Sequence, residues 1–591
     1  MLVDYSAHAI DELRSEFFSR RAQTGPIRVR VRDEFLKRIS ASVMFGENAD
    51  RAIQEYAGQV EEAIARMCSA HSVAYLLHAC RHIPLGKTPH PMATGLIRAT
   101  LESACLKYGK FDLCDGIAWS NEILPERILN GRFVRRASID EIDSVHRSRR
   151  LVLTNFDIAQ LEEIWLLEQL AEDLHLCSLI LRMIPYGGGV SFGDGWLNLR
   201  VSDDLKRLGE LNDRRLGRFE ASATAAVVDH SQVDGSFMLA GYNVLEIAHY
   251  AEDIAETFSG ARVRLSGETS FVWFTFPLRS FYETHRGFER AFEARNGCSL
   301  LALLFVIGGL SMHAVSRWRS LPQFWFHWNM GMDEGISRQQ VLEKARMFSG
   351  QVARDLHVDP VATETLEPAF DYMTLTEAKR ASIEPLLAGP TFPIVPVGQT
   401  FLIDYAWHLR WLETLFFDVH VDDQNFKGDA LESLVTQQLG NVLPQGACRA
   451  LDGSSKQIDA SILADSLLVI VECKALGRSL GYTRGSRKAI AFRQRKIDEA
   501  LAEVTDKANW LAARPVGKNY RLDENIKSIC SIVVTPFVEF IPSTDTKYWI
   551  RDEVARVLTP AETVELARNG GFKDVSLNLV TIKGDSASPT L

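Results

Sequence analysis

QIDASILADSLLVIVECK, residues 457–474, contains two apolar runs separated by the polar pair Asp465-Ser466. Runs rich in β-branched residues on either side of a two-residue polar break predict a β-hairpin. If the turn has two residues, Ala464 pairs with Leu467. The register of the whole hairpin then follows from this one pair.

That register brings two acidic side chains together at the open end of the hairpin. Counting outward from the turn places Asp459 opposite Glu472, and the two-residue period of a strand puts Lys474 on the same face. Directly opposed carboxylates repel each other and destabilise a hairpin. A divalent cation between them reverses this effect, because Mg²⁺ and Mn²⁺ prefer oxygen ligands. The sequence therefore predicts a metal site with a lysine beside it.

A solvated sheet edge, in which Lys474 forms an ion pair with Glu472, is the other interpretation of these residues. The run Leu467–Val471 is apolar on both faces, however, which is typical of an interior strand. Charges at the end of such a strand favour a functional site. Cys473 points to the opposite face and is predicted to be buried in the core.

The arrangement resembles the PD-(D/E)xK nuclease superfamily, which has the restriction-endonuclease-like fold. The pattern stands here as Asp459 followed by Glu472-Cys473-Lys474, with Ile458 in place of the proline. The family also carries a glutamate on a preceding helix, and the segment Lys427–Glu432, KGDALE, is similar to it.

The resemblance implies a metal-dependent endonuclease that hydrolyses phosphodiester bonds, with DNA the favoured substrate. It implies that Asp459 and Glu472 hold Mg²⁺ or Mn²⁺ and that Glu432 completes the metal shell directly or through water. Lys474 is then expected to orient the attacking water or to stabilise charge on the phosphate. Proteins of similar layout are bacterial restriction or antiphage effectors, in which an N-terminal region regulates the nuclease.

The elements predicted around the hairpin agree with that resemblance. They are helices over 401–417, 427–439 and 487–513 and strands near 442–450 and over 527–540. The long helix is predicted to pack on a sheet through one apolar stripe, which consists of Ile490, Ile497, Leu501, Val504, Ala508 and Leu511. The order helix, three strands, helix, strand (αβββαβ) is the core order of the restriction-endonuclease-like fold. The resemblance covers about residues 401–540.

A basic segment follows the hairpin in a chain whose net charge is −10. Its basic residues are Arg478, Arg484, Arg487, Lys488, Arg493, Arg495 and Lys496, with no acidic residue among them. Next to an acidic metal site, such a segment favours contact with a phosphate backbone, and Gln494 is a further candidate. The alternative is a solvated helix start paired with Asp498 and Glu499. Gly477, Gly481 and Gly485 predict a mobile loop.

The 591 residues predict several domains and an α+β multidomain protein. The segment 385–396 contains four prolines and predicts a domain boundary. We expect a helical region over 1–183, a mixed but mainly helical region over 184–395, and the nuclease-like domain over 396–591. Within the first region, the alternation in Arg28–Arg32 predicts a strand with one basic face.

Cysteine usage and hydropathy bear on location. The nine cysteines form no CxxC pair and no zinc-type cluster, which favours a reducing cytoplasm. The N-terminal sequence lacks the pattern of a signal peptide. The apolar run Cys298–Val315 is interrupted by Gly308-Gly309 and carries Ser311 and His313, so we expect a buried helix and no membrane contact.

Three functions stay open at this point. The first is the nuclease, acting on nucleic acid as a single chain or a homo-oligomer, with a trigger or partner subunit undetermined. The second is a catalytically silent nuclease fold that binds nucleic acid or protein. In the third, the helical region carries the principal activity and the C-terminal domain only tethers it.

Overall fold

The computed structural model shows an α+β protein that is mostly helical. It describes residues 26–39, 42–82, 91–111, 116–120, 150–153, 158–193, 196–219, 224–229, 239–243, 270–275, 278–320, 337–359, 366–389, 392–398, 400–403, 411–412, 415, 424–444, 446–478, 482 and 485–582.

The first part of the chain is a helical assembly with short strand pairs. Its elements are α1 (Pro26–Leu36), β1 (Val43–Phe45), α2 (Gly46–Cys68), α3 (Val73–His82), α4 (Pro91–Tyr108), β2 (Ile117–Ser120), β3 (Arg150–Leu153), α5 (Ile158–Met183), a 3₁₀ turn (Ile184–Tyr186), β4 (Gly189–Gly193) and β5 (Trp196–Arg200). Helices α2, α4 and α5 pack around one apolar core. Helices predominate among the described residues of this region.

The strand predicted at Arg28–Arg32 is wrong, because these residues lie within helix α1. Arg28 and Arg32 are four residues apart and therefore lie on one face of that helix. Both guanidinium groups bind the fully buried carboxylate of Asp173, each with one Nη2–Oδ1 distance of 2.6 Å. The Tyr56 hydroxyl donates to the same carboxylate at 2.6 Å. A tertiary ion-pair network thus overrides the local alternation.

The middle of the chain contains more helices and a small antiparallel sheet. Its elements are α6 (Asp203–Phe219), β6 (Thr224–Asp229), β7 (Leu239–Asn243), β8 (Ser270–Thr275), α7 (Leu278–His285), α8 (Glu289–Asn296), α9 (Leu300–Ser320), α10 (Arg338–Met347), α11 (Ser349–Leu356), α12 (Leu366–Met373) and α13 (Glu377–Arg380). Residues 302–307 of α9 are fully buried, which confirms a core helix in this apolar run. Among the described residues, no single helix is long and apolar enough to cross a membrane, although one pair bent by 94°, Arg286–Asn296 with Leu300–Leu310, passes that test jointly.

A β-hairpin crosses the predicted boundary at residue 396. Strands β9 (Ile394–Val397) and β10 (Thr400–Ile403) pair in antiparallel register. The helix predicted from residue 401 is therefore wrong at its start. Val395, Val397 and Leu402 are buried in the same core as helices α2 and α5. This burial explains the β conformation, because the hairpin places these apolar side chains on one packed face.

The C-terminal part contains a five-stranded mixed sheet. Its elements are α14 (Gln424–Leu439), β11 (Ala447–Arg449), β12 (Ser455–Gln457), β13 (Ala460–Ala464), β14 (Leu467–Cys473), α15 (Arg487–Ala512), β15 (Ser528–Val534), β16 (Trp549–Arg551), β17 (Val554–Ala555), β18 (Val557–Leu558), α16 (Pro560–Arg568) and β19 (Leu579–Thr581). The order is β13-β14-β15-β18, with β19 also on β15. Strands β14 and β15 run parallel, so α15 is the crossover helix between them.

The predicted strand near 442–450 corresponds to β11, but β11 does not join the main sheet. It pairs with β12 in a separate two-stranded hairpin. The predicted αβββαβ order is therefore corrected. Of the strands between α14 and α15, only β13 and β14 belong to the main sheet, where β15 follows them after α15. The last strand also ends at Val534, six residues before the predicted end.

Two helices cover opposite faces of this sheet. Leu468 and Ile470 of β14 pack in the cluster formed with α15, whereas Val469 and Val471 pack in the cluster formed with α14. All six residues of the predicted α15 stripe are buried. The alternation along β14 thus directs even-numbered residues towards α15 and odd-numbered residues towards α14.

Helix α6 joins the preceding part of the chain to this domain. Arg215 is buried and donates to Glu562 Oε1 at 2.7 Å and to the carbonyl oxygens of Val557 at 2.8 Å and Glu539 at 3.0 Å. Leu208 of the same helix lies in the apolar cluster around α15. Because a buried guanidinium must be paired, this contact fixes how α6 lies on the C-terminal sheet.

Candidate active site

The hairpin has the register that its sequence predicts. Ala464 pairs with Leu467, and the ladder continues to Ala460 opposite Val471. Asp465 occupies the turn with φ of 53°, a left-handed conformation that aspartate tolerates better than most residues. The residue next along the ladder is Asp459, which therefore lies opposite Glu472.

The Asp459 carboxylate closes the end of the hairpin. The backbone N–H of Cys473 donates to its Oδ2 at 2.8 Å, so the side chain replaces a ladder bond beyond the last backbone pair. Cys473 itself is 5% exposed and lies in the core on the α14 side, as predicted. Both Asp459 and Glu472 therefore face α15.

Glu472 is the centre of a network of charges. Its side chain is buried, with a residue exposure of 2%, and Lys474 Nζ lies 2.7 Å from Oε1. Lys507 Nζ donates to Oε2. Glu503 on the rim binds both lysines, at 3.1 Å from Lys474 and 3.4 Å from Lys507. The predicted contact between Lys474 and Glu472 is present, and it is one part of a four-residue network.

Lys507 was not among the predicted site residues. It comes from α15 and is 6% exposed. The sequence does carry a signal for it, because position 507 lies three residues after Val504 and four before Leu511, within the apolar stripe. A lysine at a core-facing helical position requires a buried partner. The identity of that partner is a tertiary fact that helical spacing does not reveal.

The electrostatics of the site reflect two carboxylates held close together. Burial raises the pKa of Asp459, and the charge of Glu472 raises it further, to about 7. The Cys473 N–H and Lys507 act in the opposite direction. Burial lowers the pKa of Lys474, but Glu472 and Glu503 outweigh it and the net shift is upward. The Asp459 carboxyl therefore has a pKa close to neutral pH, whereas the pKa of the Lys474 ammonium group is shifted further above it.

Glu432 reaches this region from the other side of the sheet. It lies on α14, is half-buried, and its charge contributes to the raised pKa of both Asp459 and Cys473. Within the described ranges, no three His, Cys, Asp or Glu side chains converge closely enough to hold a metal ion. Glu432 is thus close enough for electrostatic influence, and its role as a metal ligand stays a prediction.

The donor chemistry of the site nevertheless fits Mg²⁺ or Mn²⁺. Mg²⁺ keeps several waters and is commonly bound through one or two carboxylates together with substrate phosphates. Asp459 and Glu472 supply two such carboxylates, and the repulsion that raises the pKa of Asp459 is the repulsion that a cation relieves. Asp459 is half-buried and the Lys474 side chain is 35% exposed, so this side of the network is open to solvent.

Arg493, predicted to bind nucleic acid, has a structural role. Its side chain is 6% exposed and forms a two-point ion pair with the buried Glu539. It also donates to the carbonyl oxygen of Gly477 at 2.7 Å. Its position in the apolar stripe, three residues after Ile490, explains this burial. The prediction for Arg493 is corrected because its donors are engaged inside the protein.

The other members of the basic segment lie in different environments. Arg487, Lys488 and Arg495 are exposed on α15, and Lys496 is partly exposed. Arg487 pairs with Glu47 at 3.3 Å, and Glu499 pairs with Lys496 at 2.7 Å and Arg495 at 3.7 Å. Arg478 donates to the carbonyl of Val538, and Gln494 to the hydroxyl of Tyr548. Arg484 and Gly481 lie outside the described residues. The alternative interpretation, a helix start paired with Asp498 and Glu499, therefore holds for Glu499 only, because Asp498 pairs with Lys547 at 3.3 Å.

Comparison with known proteins found no matching family model, no similar curated protein and no similar solved structure.

Proposed function

We propose that the protein is a metal-dependent endonuclease that hydrolyses phosphodiester bonds of nucleic acid, with DNA the favoured substrate. The observation that carries this proposal is the meeting of Asp459, Glu472 and Lys474 at the partly open end of a buried hairpin. Two carboxylates and a lysine at one point can serve metal-assisted hydrolysis, and a solvated sheet edge does not bury its charges in this way.

Each residue has a distinct task in this proposal. Asp459 and Glu472 would hold Mg²⁺ or Mn²⁺, which when bound lowers the pKa of a water molecule and stabilises charge on the phosphate. Lys474 is the partly exposed cation, so its ammonium group can contact the attacking water or a phosphate oxygen. Lys507 is a positioning residue, because it acts on the substrate only through Glu472, whose carboxylate it orients.

Regulation by the N-terminal region, as in an antiphage or restriction effector, has support in its contacts with two segments of the C-terminal part, the loop after Lys474 and the segment after β15. Tyr186 of the 3₁₀ turn packs its ring 4.6 Å from that of Phe540 and hydrogen-bonds Tyr482. Gly485 lies so close to the backbone of α5 that an added Cβ would be 2.4 Å from the carbonyl oxygen of Leu181. Movement of the N-terminal helices would therefore move the loop that leads from Lys474 to α15.

One observation favours the second candidate, a catalytically silent binding module. Both carboxylate oxygens of Glu472 are engaged by lysines, which neutralise the charge that a metal would otherwise neutralise. In a silent module these ion pairs are permanent and stabilise the fold. Nucleic-acid binding then persists without metal and survives Glu472→Gln.

The test is a cleavage panel of single- and double-stranded DNA and RNA with Mg²⁺, with Mn²⁺ and with chelator. The proposal expects metal-dependent cleavage of at least one substrate, abolished in Glu472→Gln while thermal unfolding shows that the variant is folded. Metal-independent binding that is equal in both proteins, with no cleavage of any substrate in the presence of phage or cell extract, supports the silent module and contradicts the proposal.

A further inference from the structure

An exposed aromatic ring lies on the basic part of α15. Phe492 is 52% exposed, whereas Ile490 and Ile497 of the apolar stripe, on another face of the helix, are buried. Lys488, Lys496, Glu499 and Glu503 follow a spacing of three or four residues that places them on the same side of the helix as Phe492. This side of α15 therefore carries a phenyl ring between basic side chains and ends at Glu503, a member of the ion-pair network of the candidate active site.

Two cations lie over the Phe492 ring. The guanidinium carbon of Arg495 lies 5.3 Å from the ring centroid, and the ammonium nitrogen of Lys496 lies 5.9 Å from it. Both distances are within the range of cation–π attraction. Lys488 lies one turn before the ring and is also exposed. Glu499 pairs with Arg495 and Lys496. Lys488, Arg495, Lys496 and Glu499 together therefore carry a net charge of +2.

The same face leads directly to the candidate active site. Glu503 binds both Lys474 and Lys507. Between Phe492 and Glu503 the helix rises about 16 Å at 1.5 Å per residue. At the duplex spacing of about 3.4 Å per nucleotide, this distance corresponds to about five nucleotides, and to fewer in an extended strand.

We propose that Phe492 is a stacking platform for a base of single-stranded nucleic acid, with Lys488 and Arg495 binding the adjacent phosphates. This inference rests on the proposed function, because it names the strand state of the substrate and its path to the site. Sequence-independent binding of single strands combines basic side chains that follow the backbone with aromatic rings that stack on bases. A base-paired duplex does not offer a free base face, so the platform selects unpaired nucleotides.

The test measures equilibrium binding of full-length protein to fluorescein-labelled dT12 by anisotropy, in chelator so that cleavage does not interfere. Loss of one stacked base by alanine substitution weakens binding by about 5-fold or more. We expect this loss for Phe492→Ala and wild-type affinity for Phe492→Trp. Met347→Ala is the matched control, since Met347 is an exposed apolar residue on α10, and should leave the affinity unchanged.

An abasic oligonucleotide of the same length separates stacking from charge. We expect the affinity of wild type for the abasic oligonucleotide to be as low as the affinity of Phe492→Ala for dT12. Phe492→Ala should bind the abasic oligonucleotide and dT12 with the same affinity. Equal affinity of wild type and Phe492→Ala for dT12, or no binding of dT12 by wild type, overturns the platform. Phe492-dependent binding by a protein that cleaves no substrate supports the platform and contradicts the nuclease, so the two failures are distinguishable.

Discussion

Lys507 on α15 donates to the buried carboxylate of Glu472, 35 residues earlier in the chain. The contact joins the crossover helix to the strand that carries the candidate active site. It also gives Glu472 a second cation besides Lys474, so the buried carboxylate is paired on both oxygens. The buried Lys507 thus fixes the Glu472 side chain, whereas Lys474 is the partly exposed lysine of the two.

Replacing Lys507 with methionine should destabilise the protein and impair the site. The substitution leaves the buried Glu472 with one cation, and breaking one partner of a buried ion pair costs about 3 kcal/mol or more. We expect a loss of about 2–4 kcal/mol in the free energy of unfolding, measured by urea denaturation, because Lys474 still pairs with Glu472. We also expect Lys507→Met to cleave nucleic acid more slowly than wild type.

A double-mutant cycle separates this effect from loss of packing. In Glu472→Gln, the Lys507→Met substitution should cost less than in wild type, because its charged partner is gone. Lys456→Met is the surface control, since Lys456 pairs with Asp506 at the exposed edge. Additive effects of Lys507→Met and Glu472→Gln contradict a direct coupling between the two side chains.

The stability of the protein should depend on pH through Asp459. A carboxyl of an unfolded chain titrates near pH 4, whereas the pKa of Asp459 in the folded protein is raised to about 7. Between these values the folded state binds more protons at this site, so the free energy of unfolding falls as the pH rises from about 4 to about 7. In chelator, we expect Asp459→Asn to be more stable than wild type at pH 8, by roughly 2–4 kcal/mol.

Two further measurements constrain this prediction. The stability difference should disappear by about pH 4, where the Asp459 carboxyl is protonated in both states. Millimolar Mg²⁺ at pH 8 should raise the unfolding temperature of wild type more than that of Asp459→Asn, because a ligand of the folded state stabilises it. An Asp459→Asn variant that is less stable than wild type at pH 8 in chelator contradicts the raised pKa of Asp459, which burial and the charge of Glu472 produce together.

Arg493 and Lys488 are predicted to behave in opposite ways. Arg493→Ala leaves Glu539 buried without its cation and should cost about 3 kcal/mol of stability. The folded fraction should bind nucleic acid with an unchanged salt dependence. Lys488→Ala should leave the free energy of unfolding within about 0.5 kcal/mol and reduce the slope of log affinity against log salt by about one. Urea denaturation and salt titrations of dT12 binding measure these quantities. The reverse pattern contradicts the roles assigned to the two residues.

Local spacing was sufficient for the hairpin and for α15. The two-residue break at Asp465-Ser466 sets one register, and that register alone brings Asp459 opposite Glu472. The apolar stripe of α15 likewise defines its buried face, because burial follows the 3.6-residue period. These features depend on contacts between residues that are near in sequence or repeated at a fixed period.

Tertiary pairing decided the features that were mispredicted. The alternation around Arg28 and Arg32 predicts a strand. The structure has a helix there, because both guanidinium groups bind Asp173, more than 140 residues later, from one helical face. Arg493 was wrongly assigned to a basic surface, because its partner Glu539 lies 46 residues later in the chain and local spacing does not reveal it. Charged residues within an apolar stripe are the signal that separates buried ion pairs from surface charges.

The most direct test of the account is single-turnover cleavage of labelled single-stranded DNA with Mg²⁺, comparing wild type with Asp459→Ala, Lys474→Ala and the control Lys456→Ala. We predict metal-dependent cleavage by wild type and by Lys456→Ala, and a loss of at least 100-fold in rate, about 2.7 kcal/mol in activation free energy, for Asp459→Ala and for Lys474→Ala. Cleavage that proceeds at the wild-type rate in both site variants, with all four proteins folded, would contradict the assignment of this hairpin as the active site.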